Sequence, residues 1–353
     1  MARNVLAIRD AVRSFPPAYF AMVMATGIVS LAAHLLDLSR IAAALFALNV
    51  VAYVVVAALT LLRAAWHPRA LWLELIDHRH GPTLFASVAA TAVLGTQFVL
   101  LADDVAVAWL LWLVATLLWL FLTYAAFAAF TIRRDKPRLA TAFSGGWLLA
   151  VVAMQSVAVL SSYLAAYPES AYRVELDFLA LSMWLAGGML YVWIASLIFY
   201  RYSFVAFEPG DFSPQYWINM GAMAISTLAG SLLILDAHDT PLLASLEPFL
   251  RGFTVFYWAA GTWWIPLLVV LTVWRHVYAR SPLRYDASYW SAVFPIGMYT
   301  ACTFEMARAL HLDFLYPVPR VLVYVALAVW TLAFAGMVRA SVDATRNRNV
   351  EAK

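Results

Sequence analysis

Apolar residues run in long blocks along this chain, broken only by short polar joints. Ten such blocks follow one another, at approximately 17 to 36, 41 to 65, 82 to 102, 105 to 131, 139 to 164, 176 to 199, 214 to 235, 249 to 274, 287 to 310 and 318 to 341. A helix rises 1.5 Å per residue, so about 20 apolar residues cross a hydrocarbon layer of ~30 Å. The pattern predicts an all-α membrane protein with ten transmembrane helices. Every second block opens with a helix-breaking residue set among aromatics. The openings are Phe15-Pro16-Pro17-Ala18-Tyr19-Phe20, Gly81-Pro82-Thr83-Leu84-Phe85, Phe143-Ser144-Gly145-Gly146-Trp147, Phe212-Ser213-Pro214-Gln215-Tyr216-Trp217 and Trp290-Ser291-Ala292-Val293-Phe294-Pro295. Their recurrence predicts five helical hairpins in a quasi-five-fold arrangement around a central pore.

Composition agrees: of 353 residues, 65% are hydrophobic and 12% charged, which excludes an ordinary soluble domain. No polar stretch is long enough for a second domain. The expected organisation is an N-terminal tail at 1–16, a pore domain at 17–341 and a C-terminal tail at 342–353. The first block is expected to be a retained helix rather than a signal peptide cleaved near Ala32-Ala33. Cys302 is the lone cysteine, so no disulfide can form within the chain.

Charge sets the expected orientation. If the amino terminus, the loops after even blocks and the carboxyl end share one side, 18 of the 23 Lys and Arg residues lie there. They include Arg3, Arg9, Arg13, the run Arg133-Arg134-Asp135-Lys136-Pro137-Arg138, and Arg346 and Arg348. The opposite joints are acidic, with Asp103, Asp104, Glu169, Glu175, Asp177, Asp236, Asp239 and Glu247. The positive-inside rule predicts both termini in the cytoplasm of a cell membrane, the inner membrane if the source is bacterial.

Odd and even blocks differ in chemistry. The fourth is smooth and bulky, with Trp109, Leu110, Leu111, Trp112, Leu117 and Leu118, and reads as an outer, lipid-facing helix. The odd blocks are rich in Gly, Ala, Ser, Thr and Met and read as inner helices. In the third, Thr83, Ser87, Thr91 and Gly95 recur every fourth residue, a stripe that suits either close helix packing or a polar pore lining. Thr26, Ser87, Thr91, Asn219 and Thr300 are the pore-lining candidates. Pro17, Pro82, Gly145, Gly146, Pro214 and Pro295 are the candidate kinks, because proline removes a backbone hydrogen bond and clashes with the preceding turn. Pro82 and Pro214 also suit a first helical turn, whereas Pro295 lies deeper, some eight residues into its block. Phe294 beside it could close a narrow lumen by steric blocking and dewetting.

Glu305 and Arg308, three apart in the ninth block, are placed to pair, and they are candidates for an outer-mouth or coupling role. His67, His78 and His80, with Asp77, have no second cluster to complete a ligand set and read as a solvated loop, so neither metal nor cofactor is expected. The inner helices all start at the basic side, so their partly positive ends favour anions over cations. Nothing points to nucleic acid.

The chain resembles the tellurite-resistance/dicarboxylate transporters, a family that includes plant slow-type guard-cell anion channels, fungal malate transporters and sulfite exporters. The likeness rests on Phe15-Pro16-Pro17-Ala18-Tyr19-Phe20 with Thr26-Gly27-Ile28, on the ten blocks, and on Trp290 followed by Phe294-Pro295. It implies a homotrimer in the lipid bilayer, with a pore in each subunit formed by five inner helices and plugged by a phenylalanine that Phe294 matches. The expected function is channel-like passage of small anions, either inorganic ions or C4-dicarboxylates. The alternatives are a proton-coupled carrier of the same fold using Glu305, and a membrane enzyme using Glu305, His311 and Asp313.

Overall fold

In this computed structural model the described residues are 9, 12, 13, 15–168, 170–282 and 284–351, with side chains described as far as residue 343. Arg3, Glu169 and the side chains of Arg346 and Arg348 lie outside them. Ten long helices carry the fold. They are α1 (Phe20–Leu35), α2 (Ser39–Trp66), α3 (Ala86–Gln97), α4 (Val105–Ile132), α5 (Leu149–Ala165), α6 (Arg173–Phe204), α7 (Ile218–Asp236), α8 (Pro241–Val273), α9 (Trp290–Leu310) and α10 (Pro317–Glu351). No strand occurs among the described residues. Helices satisfy their own backbone groups, which lipid cannot do for them.

The odd helices form a closed ring: α1 packs on α3, α3 on α5, α5 on α7, α7 on α9, and α9 back on α1. Each even helix lies outside its odd partner and leans on the next one, α2 over α1 and α3, α4 over α3 and α5, and so on around to α10 over α9 and α1. Small residues permit the close approaches. A Cβ at Gly95 would stand 2.6 Å from a methyl of Leu160. Three of the hairpin turns end the inner helix on a left-handed residue, Asp37, Asp103 and His311, residue types that tolerate this conformation better than most.

The helix-breaking residues open the inner helices rather than bend them in the middle. Short 3₁₀ turns at Pro17–Tyr19, Gly81–Phe85, Gly145–Leu148, Pro214–Trp217 and Ala287–Tyr289 precede the five inner helices. Pro17, Pro82 and Pro214 sit in these turns, where a missing backbone N–H costs nothing. Pro295 alone lies inside an inner helix, and α9 continues through it. The fifth block, expected to start near 139, instead has a separate short helix at Leu139–Ala142 and an extended Phe143 before its 3₁₀ turn. Helix α10 runs on beyond residue 341, so the segment expected as a tail is helical to Glu351.

Among the described residues nine helices are long and apolar enough to cross a membrane. The tenth of the expected spans, α9, falls short because it carries Pro295, Gly297, two threonines, Glu305 and Arg308. It closes the ring, buried between α7, α1 and the outer helices, so its surface need not match lipid.

Candidate site: a polar vestibule over an apolar ring interior

The five opening turns touch one another in the same cyclic order as the helices they begin. They surround a cavity of about 620 Å³ to which each contributes: Ala18, Thr83, Ser144, Gln215 and Ser288 all line it. Gly145 explains why the third turn carries glycine where others carry proline. A Cβ there would fall 2.4 Å from the Gln215 carbonyl oxygen and 2.6 Å from the Tyr216 Cα. Only hydrogen fits between these two turns.

Arg201, near the end of outer helix α6, is 5% exposed and lines the same cavity. Its Nη1 donates to the Phe143 carbonyl and the Tyr216 hydroxyl, tying the third opening to the fourth. Asp211 stands 3.6 Å from Nη2, and the Phe207 ring lies 5.3 Å from the guanidinium carbon. The remaining charges around the cavity are mixed rather than cationic: Arg79 and His80 face Glu74, Asp211 and Asp286. The carboxylates have partners of their own. Glu74 pairs with Arg63 at 2.7 Å, and Asp286 accepts from the Ser288 backbone N–H at 2.8 Å.

Helix α9 then carries the ring interior. Pro295 marks its side toward α7, since a Cβ at Gly221 would meet the proline ring at 2.8 Å, and Gly297 marks its side toward α1, facing Val29. Thr303 accepts from Trp258 and Tyr299 bonds Thr262, both on α8. At about 100° per residue these contacts leave one arc facing inward. It holds Ser291, Phe294, Met298, Ala301 and Glu305. The same reasoning leaves Met24 and Ile28 on α1, and Ala222 and Ile225 on α7. Phe294, Met24, Ile28, Ala222, Ile225 and Met298 are all buried, so the middle of the ring is apolar and filled.

Of the five hydroxyl and amide candidates, two are bonded to outer helices and three to carbonyls about a turn back on their own chain. Thr26 accepts from Trp330 of α10 at 3.0 Å, and Thr91 bonds Tyr53 of α2 at 3.0 Å. Ser87 donates to the Leu84 carbonyl, Asn219 to the Tyr216 carbonyl and Thr300 to the Ile296 carbonyl. Thr91 and Gly95 belong to the packing surface of α3, against Tyr53 on one side and Leu160 and Leu111 on the other. The stripe read from the sequence therefore divides: Thr83 lines the cavity, and Thr91 and Gly95 serve helix packing.

At the far end of the inward arc, Glu305 is 1% exposed and Arg308 Nη2 stands 2.8 Å from its Oε2, though not aligned as a hydrogen bond. The Arg308 side chain is half exposed, its head reaching outward. Tyr163 of α5 lies close enough to Glu305 and Arg308 to feel their charges. Neither Tyr163 nor Arg201 was marked by any sequence pattern.

The histidine loop gathers no metal set; among the described residues no group of three His, Cys, Asp or Glu side chains could hold an ion. His67 meets the Arg9 carbonyl and His80 meets Asp77. Burial against Phe130 and the charges of Arg133 and Lys136 lower the His78 pKa, with Asp77 opposing them. Asp77 is itself shifted down: burial raises it, but donors from His80 and Arg79 outweigh that.

Residues 14–338 match the family model described as SLAC1, voltage-dependent anion channel. An uncharacterized membrane protein of Mycobacterium tuberculosis is 40% identical over 148 residues, covering 42% of this chain and 75% of its own length. Two uncharacterized transporters of Methanocaldococcus jannaschii are each 25% identical, over 304 and 310 residues; each alignment covers 83% of this chain, and 84% and 83% of the respective transporter. With the match spanning all ten helices, this chain is a member of the SLAC1 voltage-dependent anion channel family.

Proposed function

We propose that the chain passes small anions, inorganic ions or C4-dicarboxylates, through the interior of its helical ring, and that Phe294 is the side chain that closes the path. The observation that carries this reading is the inward arc of α9. A fully buried aromatic ring stands there in an apolar constriction, beneath a polar vestibule, in a chain of an anion-channel family. A dry, apolar constriction blocks ions sterically and by dewetting. The vestibule opens to the cytoplasm in this reading, because the loops on its side carry most of the Lys and Arg. Its hydroxyls, amides and helix starts would solvate an anion only weakly, which favours fast passage over tight binding. The exposed faces of the even helices meet lipid and, in a homotrimer, one another.

Glu305 supports a second reading. It lies on the same arc as Phe294, so a proton on its carboxyl would face a permeating anion, as a proton-coupled carrier requires. Flux into proteoliposomes separates the two, with chloride, nitrate, sulfite and malate tested in turn. The channel reading expects rates that follow each anion's own gradient and are indifferent to a pH gradient. Uptake that needs the pH gradient and is lost in Glu305→Gln would establish the carrier.

A further inference from the structure

We propose that Asp177 and Asp236 form a proton-binding site at the end of the bundle opposite the vestibule, holding one proton between two buried carboxyl groups. Asp177, in the second turn of α6, is fully buried, and Asp236, the last residue of α7, is 5% exposed. Asp177 Oδ2 accepts from the Thr240 hydroxyl at 2.5 Å, and Asp236 Oδ1 accepts from Arg173 Nη1 at 2.8 Å. The second oxygen of each, Asp177 Oδ1 and Asp236 Oδ2, is buried with no donor. The two carboxyls lie within hydrogen-bond reach of each other. A proton on one of them, donated to the other, would satisfy both vacant oxygens.

Charge balance points the same way. Arg173 is the cation in contact, and it is shared, since Nη1 also meets Asp239 at 2.9 Å. His238 belongs to the exposed side of that turn, 3.3 Å from Asp239 with its side chain largely in solvent. Just after α5, the Tyr167 hydroxyl is committed to Asp103, and on α8 the first charged residue, Glu247, is paired with Arg251. The charged groups that act on Asp177 are thus Asp236, of like sign, and Arg173, already engaged. An ionised Asp177 would be a buried charge with one neutral hydroxyl for company, a far costlier state than the protonated acid. The proton comes from water and returns to it; no other bond changes.

The pair joins the start of α6, the end of α7 and the turn into α8. Losing the proton sets two negative charges against each other at that junction, so this end should loosen as the solution becomes alkaline. The folded protein binds a proton that the unfolded chain releases, and stability therefore falls as pH rises. This proposal does not depend on whether the ring conducts.

The test is infrared absorption of the full-length protein in lipid nanodiscs, with thermal unfolding measured in parallel across neutral to alkaline pH. The wild type should show a protonated-carboxyl C=O band at neutral pH that disappears on alkaline titration, together with a fall of several degrees in its unfolding midpoint. Asp177→Asn should lose the part of the band that belongs to the aspartate pair and keep its midpoint at alkaline pH, while Glu305→Gln should retain that part. If Asp177→Asn does not fold, Asp236→Asn serves instead: removing the like charge should let the remaining carboxyl ionise at lower pH. A band untouched by Asp177→Asn, a band abolished by Glu305→Gln, or the same titration in wild type and Asp236→Asn would overturn the proposal.

Discussion

Within one membrane protein the inner and outer helices obey opposite rules. The apolar windows of the inner spans Pro17–Leu35, Gly81–Ala102, Gly145–Ala165 and Pro214–Asp236 are 72, 72, 94 and 94% buried. Those of the outer spans Ser39–Trp66, Val105–Ile132, Arg173–Phe204, Pro241–Tyr278 and Asp313–Asp343 are 17, 22, 44, 28 and 17% buried. The hidden helices are nevertheless the ones with glycine, serine and threonine, and the exposed ones carry leucine, valine and tryptophan. In lipid the solvent is as apolar as any core, so hydrophobicity does not decide what goes inside. Close backbone approach and satisfied polar groups decide it instead. The inner hydroxyls can be buried because they donate to carbonyls a turn back on their own helices, as Ser156, Ser226, Thr227 and Ser231 do.

The difference can be broken at chosen positions. Gly145→Val should have the largest effect, because its Cβ would collide with backbone of the neighbouring turn rather than with a side chain that can move aside. A loss of about 3 kcal/mol or more is expected, read as a collapsed unfolding midpoint or no folded protein at all. Arg201→Met should be milder, costing about 2 to 3 kcal/mol, since it strands the buried Phe143 carbonyl and the Tyr216 hydroxyl. The same midpoint measurement checks it. Leu117→Ala on the lipid face of α4, where Leu117 is 56% exposed, should change stability by less than about 0.5 kcal/mol. If the outer leucine proved as costly as the inner glycine, the contrast between the two layers would be wrong.

Much of this was legible from the residues. Block length placed the ten helices, and the alternation of small with bulky residues sorted inner from outer. The aromatic openings located the turns that ring the vestibule. Periodicity could not say which way a polar stripe points, because a four-residue repeat looks the same whether it faces a lumen or a neighbour. The outward faces of Thr26 and Thr91 emerge only with Trp330 and Tyr53 in place. Arg201 was hidden for a related reason. It sits at the end of an even block among topology-setting basic residues, and its role depends on Phe143, 58 positions away, arriving through ring closure. Asp177 read as a surface charge in an outward joint, but α6 starts at Arg173 and carries it into the protein. Helix α9 stood out in the sequence for Pro295, Glu305 and Arg308, and its neighbours show why it can carry them: it is enclosed by other helices.

The central claim is that Phe294 closes the path through the ring. Single-channel or macroscopic current through planar bilayers, with chloride on both sides, tests it by comparing the parent protein with Phe294→Ala. The ring is wholly buried, and its removal should leave a wetted constriction, so conductance should rise severalfold or more while anion selectivity persists. Equal conductance in a folded Phe294→Ala protein would contradict the account.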